Sequence, residues 1–307
     1  MVGGCREPKA EPHISMFTRW LVFHVASGQS FFAGAASLIV AVVLSALTTR
    51  RPLRIVRNAL VFLGGTLVFL SATPLLPWLT LLLVAVSLLW LGGEAARGRL
   101  SARLVLGLRG AVVTLWGAAL LVECPYHRAP TVPPLGRPIL GIIGDSVTAG
   151  TNQATVKTWP GLLADRHDVV VHDHSQAGAN VASALRQANA VSADERLVLL
   201  EIGGNDILGD TTPAKFEAGL AILLATVRQP GRVLVMLELP LPPTYNAYGR
   251  IQRLLARRYN VLLVPKRVLL GVLQQQGLTV DSIHLSQVGH QHMANAIWAV
   301  LQGAYSN

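Results

Sequence analysis

Gly144-Asp145-Ser146 stands directly after the apolar run at 139–143. A strand that ends in a sharp glycine turn presents one serine hydroxyl at the edge of a sheet, where parallel α/β folds place their ligand sites. That hydroxyl is a weak nucleophile until a base takes its proton, and the usual base is a histidine held in one tautomer by a carboxylate. The chain offers such a pair far downstream, Asp281 and His284, just ahead of a helical segment. Their spacing lets the carboxylate sit beside Nδ1 and leaves Nε2 for the serine. Acyl transfer also needs donors aimed at the developing oxyanion. The candidates are the backbone N–H of Ser146, the backbone N–H of Gly178 in SQAGAN and the side-chain amide of Asn205 in GGND.

Taken singly, each of these residues has a plainer reading. Ser146 reads as a helix cap and Asn205 as a turn residue. Asp206 competes with Asp281 as the acid, but its place beside Asn205 suits strand-end hydrogen bonding. His290 and His292, on the last predicted helix, read as exposed or capping side chains. His172 and His174 share one strand face without a third ligand, so no metal site is predicted. The argument for chemistry lies in the order of the blocks, each at a strand end or a helix start. The Gly-x-Ser-x-Gly nucleophile elbow is absent, because position 148 is Thr.

The elements that must hold these residues alternate. Strand-like apolar runs fall at 139–143, 168–172, 197–202, 232–239 and 261–265, with helix-like segments at 158–166, 180–192, 213–228, 247–258 and 286–302. Alternation of this kind predicts an α/β domain over 139–307 with a parallel sheet covered on both faces. The loop at 239–249 follows a strand at the active edge. Its residues Leu241, Pro242 and Tyr245 are the candidates for selecting the acyl group.

The blocks GDSVTAG (144–150), SQAGAN (175–180), GGND (203–206) and DSIHLSQVGH (281–290) resemble the four motif blocks of the GDSL/SGNH hydrolases. The resemblance spans about 138–303. LVLLEIGGND and the TWPGLLA run at 158–164 are most similar to the thioesterase, lysophospholipase and arylesterase branch. It implies a three-layer α/β/α fold, with Ser146 as nucleophile and Gly178 and Asn205 in the oxyanion hole. It further implies that Asp281 and His284 complete the triad, and that there is no metal or other cofactor.

The remaining half of the chain is of another kind. The sequence of 307 residues is 51% hydrophobic and only 14% charged, too apolar for an ordinary soluble protein. Apolar runs at 31–47, 59–72, 75–91 and 104–122 predict about four transmembrane helices within a membrane region over 1–123. The second run is short and reads alternatively as a buried or re-entrant segment. The fourth is interrupted by Arg109, expected to snorkel toward an interface. Residues 17–25 read as an interfacial helix or an extension of the first span. Five prolines in 124–138 predict a stiff, extended linker. Cys5 and Cys124 fit no metal spacing and read as two unpaired thiols.

Charge follows the same division. Residues 1–137 carry thirteen Lys and Arg against four acids, and 138–307 carry thirteen against twelve. The basic excess therefore belongs to the membrane half, where it fits lipid headgroups, and a nucleic-acid partner is not expected. Arg50, Arg51, Arg54 and Arg57 follow the first run, and Arg97, Arg99, Arg103 and Arg109 separate the third from the fourth or interrupt the fourth. Short Arg-rich loops stay cytoplasmic, which puts the C-terminal half outside the cytoplasmic membrane.

The expected activity is a membrane-anchored serine esterase that cleaves ester or thioester bonds, with lipid-like acyl esters favoured as substrates. Within the same chemistry stand a carbohydrate O-acetylesterase and an acyltransferase acting on surface polysaccharide. Outside it stand a catalytically silent binding protein of this fold and a membrane half with its own role in transport or lipid handling. The spans show no ionisable residue besides Arg109, so no ion path is expected.

Overall fold

A computed structural model describes residues 15–47, 51–151, 156–281 and 283–306, leaving Cys5, Arg50 and Ser282 outside. The chain opens with helix α1 (Met16–Ala26) and four longer helices, α2 (Gln29–Leu47), α3 (Arg51–Phe69), α4 (Pro77–Ala95) and α5 (Ala102–Glu123). The α/β unit follows as β1 (Leu140–Gly144), α6 (Ser146–Ala149), α7 (Trp159–His167), β2 (Val171–Asp173), α8 (Leu185–Ala190), β3 (Leu197–Glu201), α9 (Gly204–Leu208) and α10 (Pro213–Val227). It closes with β4 (Val233–Leu237), α11 (Asn246–Tyr259), β5 (Leu262–Val264), α12 (Lys266–Leu273) and α13 (Gln287–Leu301).

The five strands are all parallel, in the order β2-β1-β3-β4-β5. Successive side chains on a strand point to opposite faces, and the strands are apolar on both. Ile142, Leu199 and Val235 pack with Leu163, Leu269, Met293 and Ile297 on one face. Ile143, Val198, Leu200 and Met236 pack with Ala188, Leu220, Leu224 and Leu255 on the other. The result is a three-layer α/β/α unit. The strand order reverses direction between β1 and β3, and a crevice opens there at the carboxyl ends.

The predicted strands and most helices are present; the short helices α6 and α9 are additional, and two further differences stand out. The expected helix at 180–192 is helical only over α8. Asn180 and Ser183 bond each other's backbone, and the Val181 N–H donates to Asp206, so the first five residues form turns instead. Helix α12 was not expected. It starts beyond Pro265 and buries Leu269 and Val272 in the core that also holds Met293 and Ile297 of α13.

Helices α2 to α5 each have the length and composition to cross a membrane. They enclose a core of Phe31, Leu38, Leu83, Trp90, Val112 and Trp116. Helices α2 and α3 touch through glycine. A Cβ on Gly34 would lie 2.7 Å from the Gly64 carbonyl oxygen, and one on Gly64 would lie 2.8 Å from that of Gly34. Small residues of this kind let membrane helices approach backbone to backbone.

Helix α3 starts earlier than the apolar run at 59–72, because its first turns take in Arg54 and Arg57. Residues 17–25 do not extend the first span. Gly28, at φ +83°, breaks the helix, and α1 lies beside α12 of the α/β unit. Arg109 does not snorkel. It is buried, with Nε donating to Glu94 at 2.6 Å and a terminal nitrogen donating to the Ser45 carbonyl at 2.7 Å. Glu94 lies beyond the predicted third run, so the ion pair was not visible in the sequence.

The proline-rich stretch is extended but docked. Val132 is buried in the core of the α/β unit, and the Leu135 N–H donates to the Ala304 carbonyl at 2.9 Å. The α3–α4 turn docks as well. Pro74 packs on Gly249, Asn246 donates to the Ser71 carbonyl at 3.4 Å, and the Lys266 ammonium donates to the Ala72 carbonyl.

Candidate active site

Strand β1 delivers Gly144 to the carboxyl edge, and the chain turns at once into the short helix α6. Asp145 caps that helix by accepting from the Val147 N–H at 2.9 Å. Position 144 must be glycine, because a Cβ there would meet Thr148 Oγ1 at 2.5 Å. The turn sets Ser146 at the mouth of the crevice.

His284 reaches it from a turn 138 residues further on, with Nε2 at 3.1 Å from Ser146 Oγ. The turn is pinned at its base by Val280 N–H to the His284 carbonyl and Ser286 N–H to the Leu278 carbonyl, both 2.8 Å. Asp281 organises it from within. One carboxylate oxygen accepts from the His284 N–H at 2.9 Å, and the other lies 2.6 Å from His284 Nδ1. The backbone N–H of His284, and then its ring, hold the Asp281 carboxyl below the usual carboxylate range. An ionised Asp281 keeps the proton on Nδ1 and leaves Nε2 free to accept from the serine.

Asn205 starts in the turn after β3. Gly203, at φ +114°, makes that turn, and a Cβ there would press on Phe216 at 2.9 Å. The Asn205 amide donates to the Ala179 carbonyl at 2.9 Å and to Asp145 at 3.3 Å, tying the β1, β2 and β3 loops together. Gly178, at φ +76°, is exposed on the middle loop, which is held to β1 by Gln176 N–H to the Gly144 carbonyl at 3.1 Å. Ser146 and Asn205 line a cavity of about 250 Å³. Leu241, Pro242 and Tyr245 line it too, with Leu208, Leu273 and Ile283 adding apolar wall.

A second pair of carboxyls was not foreseen. Glu201, at the end of β3, is fully enclosed and accepts from Thr148 Oγ1 at 2.9 Å. Burial pushes both Glu201 and Asp145 up, and the Asp145 charge pushes Glu201 well above its ordinary value. The sequence placed Glu201 inside an apolar strand, and only the sheet register brings it beneath Ser146.

Asp206 is buried and accepts from the Val181 N–H at 2.9 Å, a structural role. His290 is not exposed. It is fully buried and accepts from the Trp159 N–H at 3.2 Å, capping α7, and burial holds its pKa down to about 4. His172 and His174 both bond Glu195, at 3.0 Å, and no group of three metal-ligating side chains occurs among the described residues.

A parallel α/β/α fold with a serine, a histidine and a carboxylate in hydrogen-bonded sequence at the sheet's carboxyl edge is an arrangement that serine hydrolases use. Residues 142–292 match the family model of the GDSL-like Lipase/Acylhydrolase family. Esterase TesA of Pseudomonas aeruginosa is 30% identical over 174 residues, covering 52% of this chain and 86% of that protein. Thioesterase 1/protease 1/lysophospholipase L1 of Escherichia coli strain K12 is 29% identical over 175 residues, covering 52% and 82%. A crystal structure of TesA superposes with a TM-score of 0.48 at 30% identity, over 53% of this chain and 98% of the other. The chain belongs to the GDSL-like lipase/acylhydrolase family, and is an esterase-type hydrolase of that family.

Proposed function

We propose that the chain is a membrane-anchored serine esterase whose α/β unit faces the extracytoplasmic side. The observation that carries the reading is the hydrogen-bonded line from Asp281 through His284 to Ser146, with distances of 2.6 and 3.1 Å. Ser146 Oγ attacks the carbonyl carbon of an ester or thioester while His284 Nε2 takes its proton. The Ser146 and Gly178 N–H groups and the Asn205 amide receive the oxyanion. His284 then gives the proton to the leaving alcohol or thiol. Water, deprotonated by the same imidazole, cleaves the acyl-enzyme and frees Ser146 and the acid.

The topology has support of its own. Ser45, Arg57, Glu94 and Arg109 meet at one end of the helical bundle, which gathers one end of each of the four helices on one side, with the Arg-bearing ends of α3 and α5 among them. The α/β unit docks at the opposite end, on the α3–α4 turn and the end of α5. Arg-rich ends face the cytoplasm. The connection at 124–138 then leaves the bilayer and runs into the α/β unit as part of its packing.

Lipid-like acyl esters suit a site tethered to a bilayer with an apolar wall. The small size of the cavity favours a second reading with the same chemistry, removal or transfer of a short acyl group such as acetyl on a surface polysaccharide. A fluorophosphonate probe tests the shared step. It labels the wild-type protein and not Ser146→Ala, and equal labelling of both removes the assignment. Side-by-side turnover of short esters, long-chain acyl-CoA, lysophospholipid and acetylated sugars separates the two readings.

A further inference from the structure

Helices α3 and α4 splay apart below their turn, leaving a cleft of about 800 Å³ whose floor is formed by α2 and α5. Its walls are apolar, with Gly65 and Val68 on one side, Val84 and Leu88 on the other, and Trp116 below. On α4 the lining runs from Pro77 to Leu91, roughly 20 Å along the helix axis at 1.5 Å per residue. A cleft of that depth between membrane-crossing helices opens onto hydrocarbon, and its natural guest is long, thin and apolar.

Besides Thr80 and Ser87, whose hydroxyls donate to the carbonyls four residues earlier, the polar lining gathers at one end of the cleft. Ser71, Thr73, Asn246 and Arg250 line it where the α/β unit sits down on the bundle. Arg250 is half-buried, and its guanidinium donates to the Leu75 carbonyl at 3.4 Å. Among the described residues it has no ion pair, whereas Arg109 and Arg253 are both paired with glutamates. A single unpaired cation at the mouth of an apolar cleft complements a molecule with an anionic head and an apolar tail.

We propose that the α3–α4 cleft binds one acyl chain of an anionic bilayer lipid, with the headgroup at Arg250. The inference rests on the reading that α2 to α5 cross the membrane, and deepens it. The site is separate from the cavity at Ser146 but shares a wall with it. Pro243 and Thr244 line the cleft, and their neighbours Pro242 and Tyr245 line the cavity. A lipid seated in the cleft thus bears on the loop that shapes the acyl pocket.

The test uses full-length Ser146→Ala protein, which cannot turn lipid over, in phosphatidylcholine nanodiscs. These carry phosphatidylglycerol or phosphatidylcholine with a photoactivatable diazirine on one acyl chain, and labelled peptides are mapped by mass spectrometry. Label is expected on 61–69 and 80–91, with phosphatidylglycerol preferred roughly tenfold, the effect of one charge-assisted contact. Gly65→Phe directs a ring into space where a Cβ meets no atom within 4 Å, and is expected to remove that label while the thermal transition is unchanged. Arg250→Gln is expected to keep the label and lose the headgroup preference.

Label spread evenly over the outward faces of α2 to α5, or unaffected by Gly65→Phe, overturns the proposal. So does equal labelling by the two lipids in the protein that keeps Arg250. Absence of label from all four helices would overturn the membrane reading itself, which fluorophosphonate labelling of Ser146 does not depend on.

Discussion

Arg253 of α11 grips Glu123, the last residue of α5, with two parallel hydrogen bonds of 2.8 Å each. Its Nε donates to Glu238 at 2.7 Å, and the guanidinium lies 3.8 Å from the centre of the Tyr126 ring. Arg253, Glu123 and Glu238 are all at least 96% buried. The bundle and the α/β unit therefore meet through a dehydrated ion-pair network rather than a flexible tether. A fork-to-fork pair fixes direction as well as distance.

Arg253→Ala strands two buried carboxylates, and removing one partner of a buried pair costs about 3–5 kcal/mol. The expected result is a loss of that order in chemical unfolding of the detergent-solubilised protein. Combining Glu123→Leu with Arg253→Met should recover only part of it, because one stranded carboxylate is removed while Glu238 stays buried without its guanidinium. A change below about 1 kcal/mol in Arg253→Ala, the range of exposed pairs, would show that the network does not hold the junction.

Ser146 and His284 should behave as one catalytic unit. Each alanine variant is expected to lower kcat on a p-nitrophenyl ester by at least ~10³-fold, and the double variant little further, since removing one member disables the rest. Multiplying losses in the double variant would mean that the two residues act independently.

Leu241 lines the cavity at Ser146 and is the side chain proposed to select acyl length. Leu241→Ala enlarges the cavity and should raise kcat/KM for longer acyl chains relative to acetate. Loss of one or two methylenes' worth of contact is worth about 1–3 kcal/mol of discrimination, or roughly 10- to 200-fold. An unchanged chain-length profile would place acyl selection elsewhere.

His290 gives the α/β unit an acid limit. Burial holds its pKa down to about 4, against an ordinary value of roughly 6.5. Between those values the unfolded chain binds a proton that the folded one does not, so stability is full above the upper value and falls as pH drops toward the lower. His290→Asn, which keeps an acceptor for the Trp159 N–H, should flatten the thermal transition temperature across that window. An equal acid slope in both proteins would remove His290 as its source.

Much of the active edge was legible in the chain. Ser146, Gly178, Asn205, Asp281 and His284 stood out because each sits where an apolar run gives way to glycine or to a short polar turn. Leu241, Pro242 and Tyr245 were placed by the same rule, as the first residues past a strand at that edge. Glu201 was not legible, since nothing local distinguishes a strand-end carboxyl that meets solvent from one that faces Asp145 in the core. Of the two readings of His290, capping holds and exposure does not, because a histidine one helical turn past a cap looks exposed until α7 packs over it.

The helical half divides in the same way. Hydropathy alone marked four long apolar helices, whose length and composition are enough to cross a membrane. It could not pair Arg109 with Glu94, nor Arg253 with Glu123, because those partners come from different helices and meet only after packing. What the sequence by itself determined is local and periodic: the strands and most of the helices, the turns that end them and the residues those turns display. What only the tertiary structure decided is which polar groups are buried together. That choice depends on desolvation and on partners distant in the chain, and no window of neighbouring residues contains either.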